Sequence, residues 1–164
     1  MNIHGQRFDL MKPGEVVLIE VPRGKLVDDA LLIVEATARR LGTECSDMFF
    51  QKINVTGSWA NDVRAGGITF TAGDETPQIL GWTRIGPLEL KVARGRTSKG
   101  IPYLNFYVKH LGHAGHVVGG LLGEDDHTDA ATPGPECIHS IALKSKRPGD
   151  VGASVSSVAE ASFA

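Results

Sequence analysis

Leu88 to Ala93 (LELKVA) alternates apolar and polar residues without a break. An extended chain there places Leu88, Leu90 and Val92 on one face and Glu89 and Lys91 on the other. Tyr103 to Val108 (YLNFYV) has a similar pattern, and the RGRTSKG between them is a polar turn bounded by glycine, so the pair predicts a β-hairpin. Other segments follow suit. Glu15 to Val21 (EVVLIEV) is a compact apolar run preceded by Pro13-Gly14 and stopped by Pro22, which reads as a strand. Asp47 to Thr56 (DMFFQKINVT) is rich in β-branched and aromatic residues, and Ile68 to Ala72 (ITFTA) alternates as a half-exposed strand does. His116 to Leu122 is a further short apolar run, and Cys137 to Leu143 (CIHSIAL) is expected to return to the sheet. Val27 to Leu41 stays open between strand and helix: Asp28 and Gly42 suit helix ends, yet the contiguous apolar LLIV leaves no clean polar face.

Twenty glycines and eight prolines supply the many turns that a β-rich chain needs. At 164 residues a single core is the expectation, burying roughly 68 to 70% of the surface that the unfolded chain exposes. After Lys144 the sequence turns Ser-, Ala- and Gly-rich, so the domain is expected over 1–144 and a flexible tail over 145–164. With 17 Lys and Arg against 19 Asp and Glu, the formal charge of -2 gives no broad field for phosphate backbones. Nucleic acid and membrane insertion are therefore not expected, and no apolar window approaches bilayer length. The first residues lack the apolar stretch of a secretory signal, so an exported product would carry its signal outside this chain.

The richest stretch for chemistry is Gly119 to Asp129 (GGLLGEDDHTD), where a glycine-rich turn leads into closely spaced carboxylates. Glu124, Asp126 and Asp129 are candidate calcium ligands, since Ca²⁺ takes about six to eight oxygens. The spacing does not fit an EF-hand, and a solvated acidic loop is the plainer alternative. His110, His113 and His116 stand three apart and are candidate zinc ligands of a metal-dependent hydrolase, with Glu124 or Asp126 as base. Gly112 and Gly115 argue against a helix there, and a His-rich connecting loop is the commoner explanation. No G-x-S-x-G occurs, and Gly95 to Gly100 lacks the order of a phosphate loop. Cys45 and Cys137 either pair, closing a loop of about 90 residues worth roughly 4 to 5 kcal/mol, or remain separate thiols. Asn54-Val55-Thr56 matches an N-glycosylation sequon, and Trp59 and Trp82 are isolated aromatics suited to packing or, if exposed, to a carbohydrate or protein contact.

Two separated blocks share a pattern with known modules. His4-Gly5-Gln6-Arg7-Phe8-Asp9 resembles the D-G-x-x-F segment that follows the Gly-Asp-Pro-His opening of von Willebrand factor type D domains. Leu104-Asn105-Phe106-Tyr107-Val108, followed by Gly120-Leu121-Leu122-Gly123, resembles the L-x-F-Y-V and G-L-L-G pairing of the C-terminal domain of inter-alpha-trypsin inhibitor heavy chains. The resemblance covers roughly residues 3 to 130 and implies a β-rich module of a secreted protein. It tips Leu31 to Arg39 toward strand and Glu124, Asp126 and Asp129 toward calcium. The chain also departs from the pattern. The Gly-Asp-Pro-His opening is missing, so no residue inherits the covalent glycosaminoglycan link of the heavy chains. Leu122 stands at a cysteine position of type D domains, which removes disulfide multimerisation from the expectation.

The expectation is thus an all-β, antiparallel β-sandwich-like fold with a disordered C-terminal tail. Its function is expected to be that of a non-catalytic structural or adhesion module, stabilised by calcium and located outside the cell or on its surface as part of a larger protein. Its partner would be a protein or glycan of that setting. A carbohydrate-binding sandwich using its tryptophans and the His-based hydrolase are the alternatives.

Overall fold

The computed structural model describes residues 1–24, 27–42, 48–74, 81–134, 137 and 160–162. The hairpin read from the alternating runs is there, formed by β6 (Leu88–Arg96) and β7 (Pro102–Lys109). Its ladder runs from Glu89↔Lys109 to Arg96↔Pro102, so the turn is tighter than the RGRTSKG stretch suggested. Leu88, Leu90 and Val92 are fully buried on the inner face, beside Leu104, Phe106 and Val108 of β7. Gly95 lies opposite Tyr103, whose ring crosses it; a Cβ on Gly95 would stand 2.4 Å from that ring, so only glycine lets the aromatic lie flat there.

The other elements follow in chain order. They are β1 (Gly14–Val21), β2 (Leu32–Arg40), β3 (Met48–Thr56), the short helix α1 (Ser58–Val63), β4 (Ile68–Thr71), β5 (Thr83–Ile85) and, near the C-terminus, β8 (Glu160–Ser162). The fold is all-β, as expected, and antiparallel apart from the parallel β7–β8 pair. Hydrogen bonding joins the described strands into one sheet of order β1-β2-β3-β7-β6-β5, with β4 also on β3 and β8 also on β7. Two separate stacked sheets are therefore not what the ladders give: the halves remain connected at Phe50↔Leu104.

That connection explains the shape of the sheet. β3 gives the same edge to two partners, first to β7 at Phe50 and then to β4 over Lys52 to Val55. The switch coincides with a bulge in the β2–β3 ladder, where Thr37 faces Lys52 and Ala38 faces Phe50, leaving Gln51 as the extra residue. A bulge bends its strand and raises the local twist, which is how one edge can serve strands leaving in two directions. Gln51 holds both: its carbonyl accepts the Ala72 N–H at 2.8 Å, and its Nε2 donates to the Pro102 carbonyl at 3.1 Å.

β2 resolves the segment left open between strand and helix. Leu32, Val34, Ala36 and Ala38 face the core, and Ile33 is buried on the opposite face, so the contiguous apolar run reflects burial on both sides at the start of the strand. A single apolar cluster draws on every strand from β1 to β7, with Phe50 and Phe106 its largest fully buried side chains. Truncating either to Ala would cost about 3 to 5 kcal/mol. Two elements before the expected tail escaped the sequence reading. Helix α1 follows Gly57, whose φ of 107° and closeness to Leu31 carbonyl oxygen (2.5 Å to a Cβ) require glycine, and it buries Ala60. β5 is only three residues long. Of the tail expected over 145–164, Glu160–Ser162 form β8, and the rest lies outside the described residues.

Candidate functional site

The glycine-rich turn and the acidic stretch after it form a cover for the outer edge of β1. Glu20 and Gly119 exchange backbone hydrogen bonds of 3.0 and 2.8 Å, Leu121 N–H donates to Val17 at 2.9 Å, and Leu122 N–H donates to Leu18 at 2.9 Å. These bonds occupy groups that an edge strand would leave open to other chains. The approach is close enough to dictate glycine. A Cβ on Gly120 would stand 2.5 Å from the Leu18 carbonyl oxygen, and one on Gly123 would stand 2.3 Å from that of Val118. Gly120 also has a φ of 86°.

The acidic side chains that follow go to separate partners. Glu124 Oε2 meets His4 Nε2 at 2.9 Å, and Asp129 Oδ1 accepts from Lys12 Nζ at 2.7 Å. Asp125 bridges Arg23 Nε at 2.7 Å and the Gly120 N–H at 2.7 Å. Asp126 Oδ1 accepts from Thr128 Oγ1 at 2.6 Å and from the Thr128 N–H at 2.9 Å. The Thr128 hydroxyl and then its N–H hold the Asp126 carboxyl below the ordinary aspartate value. The first dozen residues close over this loop, with Ile3 N–H on the Leu122 carbonyl, Met11 N–H on Ala130, and Phe8 stacked on His127 at 4.2 Å between ring centroids. Buried Asn2 organises that segment by accepting from the His4 and Gln6 N–H groups.

The structure thus places the calcium candidates Glu124, Asp126 and Asp129 in one loop but does not aim them at one point. Among the described residues no group of three or more His, Cys, Asp or Glu is arranged to hold a metal ion. The histidines divide similarly: the His110 and His113 rings lie 6.2 Å apart, whereas His116 is exposed and sits by Trp59 at 6.3 Å. The hydrolase alternative gains no assembled base, because Glu124 is engaged by His4 and Asp126 by Thr128. Asn54 lies mid-strand in β3, between Glu35 and Thr69, with its Oδ1 shielded from solvent, rather than in the surface loop where a sequon is used. Cys137 is disulfide-bonded, and Cys45 lies outside the described residues.

The two tryptophans differ in kind. Trp59, in α1, packs on the core with its ring against Gly86, where a Cβ would stand 2.4 Å away. Trp82, just before β5, is 42% exposed. It belongs to the outer face of β5–β6–β7, where the antiparallel register sets Lys91 opposite Tyr107 and Glu89 between Arg84 and Lys109. Lys109 Nζ lies 3.9 Å from the Trp82 ring centroid, and Lys91 Nζ lies 5.8 Å from Trp82 and 5.4 Å from the Tyr107 ring. The two rings stand 6.5 Å apart. Further along the same face, Tyr103 packs on Phe49 at 4.9 Å.

Within β5, β6 and β7 the three cations Arg84, Lys91 and Lys109 share this patch with the carboxylate of Glu89, on a chain whose overall charge is negative. Among the described residues neither Lys91 nor Lys109 has a carboxylate within ion-pair distance; their ammonium groups rest on aromatic faces instead. Sequence reading singled out Trp82 but missed Lys91, Tyr107 and Lys109. The alternation of β6 and β7 already sent Lys91 and Tyr107 outward, and the hairpin register was the missing piece that set them side by side.

In comparisons with known proteins no family model matches the chain, and neither a curated protein nor a solved structure matches it. Among the described residues no helix is long and apolar enough to cross a membrane.

Proposed function

We propose that this chain is a non-catalytic structural or adhesion module of an extracellular or cell-surface protein, holding its partner on the Trp82, Lys91, Tyr107 and Lys109 face. The observation that carries the reading is an exposed indole flanked by two ammonium groups that no carboxylate neutralises among the described residues. Exposed Trp and Tyr are among the side chains that most often dominate binding energy, because they bury much area while losing few rotatable bonds. The face is built on a hairpin whose opposite side is fully buried, so a partner meets a preorganised surface. The disulfide at Cys137 supports an oxidising setting, and the resemblance to type D and heavy-chain modules points the same way. Calcium is not part of this reading, because Glu124, Asp126 and Asp129 each already have a protein partner.

The test is binding of the purified chain to a panel of extracellular glycans and matrix proteins, with Trp82→Ala and Trp59→Phe beside the parent. The expected result is a retained partner whose affinity falls at least tenfold in Trp82→Ala and stays within about twofold in Trp59→Phe, given that hot-spot truncations cost about 2 kcal/mol or more. Equal retention by Trp82→Ala and the parent would remove the face from consideration.

A further inference from the structure

Beside the Trp82 face lies the edge of β7. Upstream, that edge is used by β3 at Leu104, but β3 bends away at Gln51 toward β4. From Tyr107 to Lys109 the edge is instead taken by β8, in the one parallel pairing among the described residues. Among the described residues the contact has three register pairs, from Tyr107↔Glu160 to Lys109↔Ser162, against eight in the β6–β7 ladder. A strand edge paired over three residues to another segment of the same chain is a seat that an extended segment of a partner can take over.

We infer that the β7 edge at Tyr107 to Lys109 is a docking site for an extended acidic peptide segment of a partner protein, which runs parallel to β7 in place of β8. This rests on the binding-face reading and names the partner's form. Two independent features specify the occupant. The β8 pairing shows that the edge accepts a strand in the parallel sense. The adjoining face supplies the charge preference: alternate side chains of an added strand project to the outer side next to Tyr107 and Lys109 of β7, with Lys91 one strand further on in β6. Main-chain hydrogen bonds then hold the segment, and the lysines choose an acidic one. The covalently joined β8 competes at an effective concentration on the order of millimolar, so the parent chain binds such peptides weakly until β8 is displaced.

The experiment uses the full chain with Ala161→Pro/Ser162→Pro, which removes backbone donors from β8 in either hydrogen-bonding phase and leaves Trp82, Lys91, Tyr107 and Lys109 themselves unsubstituted. The probes are a soluble peptide of alternating Val and Glu and its Val and Lys counterpart. Calorimetric affinities are read with hydrogen exchange at Tyr107, Val108 and Lys109. The expected result has three parts: faster exchange in the proline variant at those of these alternating amides that face β8, at least tenfold tighter binding of the Val/Glu peptide to that variant than to the parent with protection restored at the same amides, and at least tenfold weaker binding of the Val/Lys peptide. Lys91→Ala/Lys109→Ala in the proline background is expected to weaken the Val/Glu peptide at least fivefold. The inference is overturned if the proline variant leaves exchange unchanged, if the two peptides bind alike, or if binding brings no protection at 107–109. Failure of the peptides beside a Trp82-dependent glycan or matrix protein from the panel also overturns it and leaves the face in place. Failure of both overturns the two readings together.

Discussion

The acidic loop and the basic face treat charge in opposite ways. In the loop, Asp125 and Asp129 pair with Arg23 and Lys12, Glu124 meets the His4 imidazole, and Asp126 is held by Thr128. On the β5–β6–β7 face, Lys91 and Lys109 lie over Trp82 and Tyr107 with no carboxylate in reach among the described residues. The loop's charges are spent inside the molecule, fastening a cover onto β1; the charges of the face remain available to something else. A cluster of like charges is thus a poor guide to a ligand site by itself. What matters is whether the fold has already supplied the counter-charges.

The sharpest way to break this contrast is to unseat the loop. Gly120→Ala adds a Cβ against the Leu18 carbonyl at a φ of 86°. It is expected to cost about 3 kcal/mol and to lower the melting midpoint by roughly 6 to 12 °C. Partner binding by the Trp82 face at a temperature where the variant is folded should stay within about twofold. A loss of binding in step with the loss of stability would show that loop and face are one device. Asp125→Ala comes next, since it removes the Arg23 pair and the Gly120 N–H acceptor together. About 1 to 2 kcal/mol is expected by denaturant titration, kept modest by the half-exposed setting of the pair. The equivalent loss at Glu124→Ala should be smaller, because among the described residues Glu124 has the His4 contact without a backbone N–H like that of Gly120 on Asp125.

A finer probe is the Asp126 titration. Its carboxyl is held below its ordinary value by Thr128, so the stabilising contribution is fully present above the unfolded-state value and is lost as pH falls through the lower folded-state value. Thr128→Ala is expected to move the Asp126 midpoint upward in a carboxyl-resolved NMR titration; an unmoved midpoint would assign the shift elsewhere. The smallest effect is expected from chelation. EGTA should shift the melting midpoint by less than about 1 °C, because the loop carboxylates already have protein partners. A fall of several degrees would restore calcium to Glu124, Asp126 and Asp129 and erase the contrast between the two regions.

Much of the scaffold could be read from the residues alone. The strict alternation of LELKVA and the apolar bias of EVVLIEV and DMFFQKINVT are local consequences of a half-buried pleated chain, and the strands are where those patterns sit. β2 was harder, because burial on both faces at Leu32 to Val34 erases the alternation. β5 and α1 were invisible because three or six residues carry too little pattern to stand out. The sites were less legible for a different reason. Spacing along the chain drew Glu124, Asp126 and Asp129 together and said nothing of His4, Lys12 and Arg23, which reach them only in the folded molecule. Likewise Lys91 and Lys109 became a pair around Trp82 only once register was fixed.

The extra residue at Gln51 has a mechanical consequence. Because β3 is common property of both halves and this one side chain ties the start of β7 to the kink, neither half can come apart without stripping an edge from the other. Melting should accordingly proceed as a single concerted event, with probes on Trp59 and on Trp82 reporting the same transition.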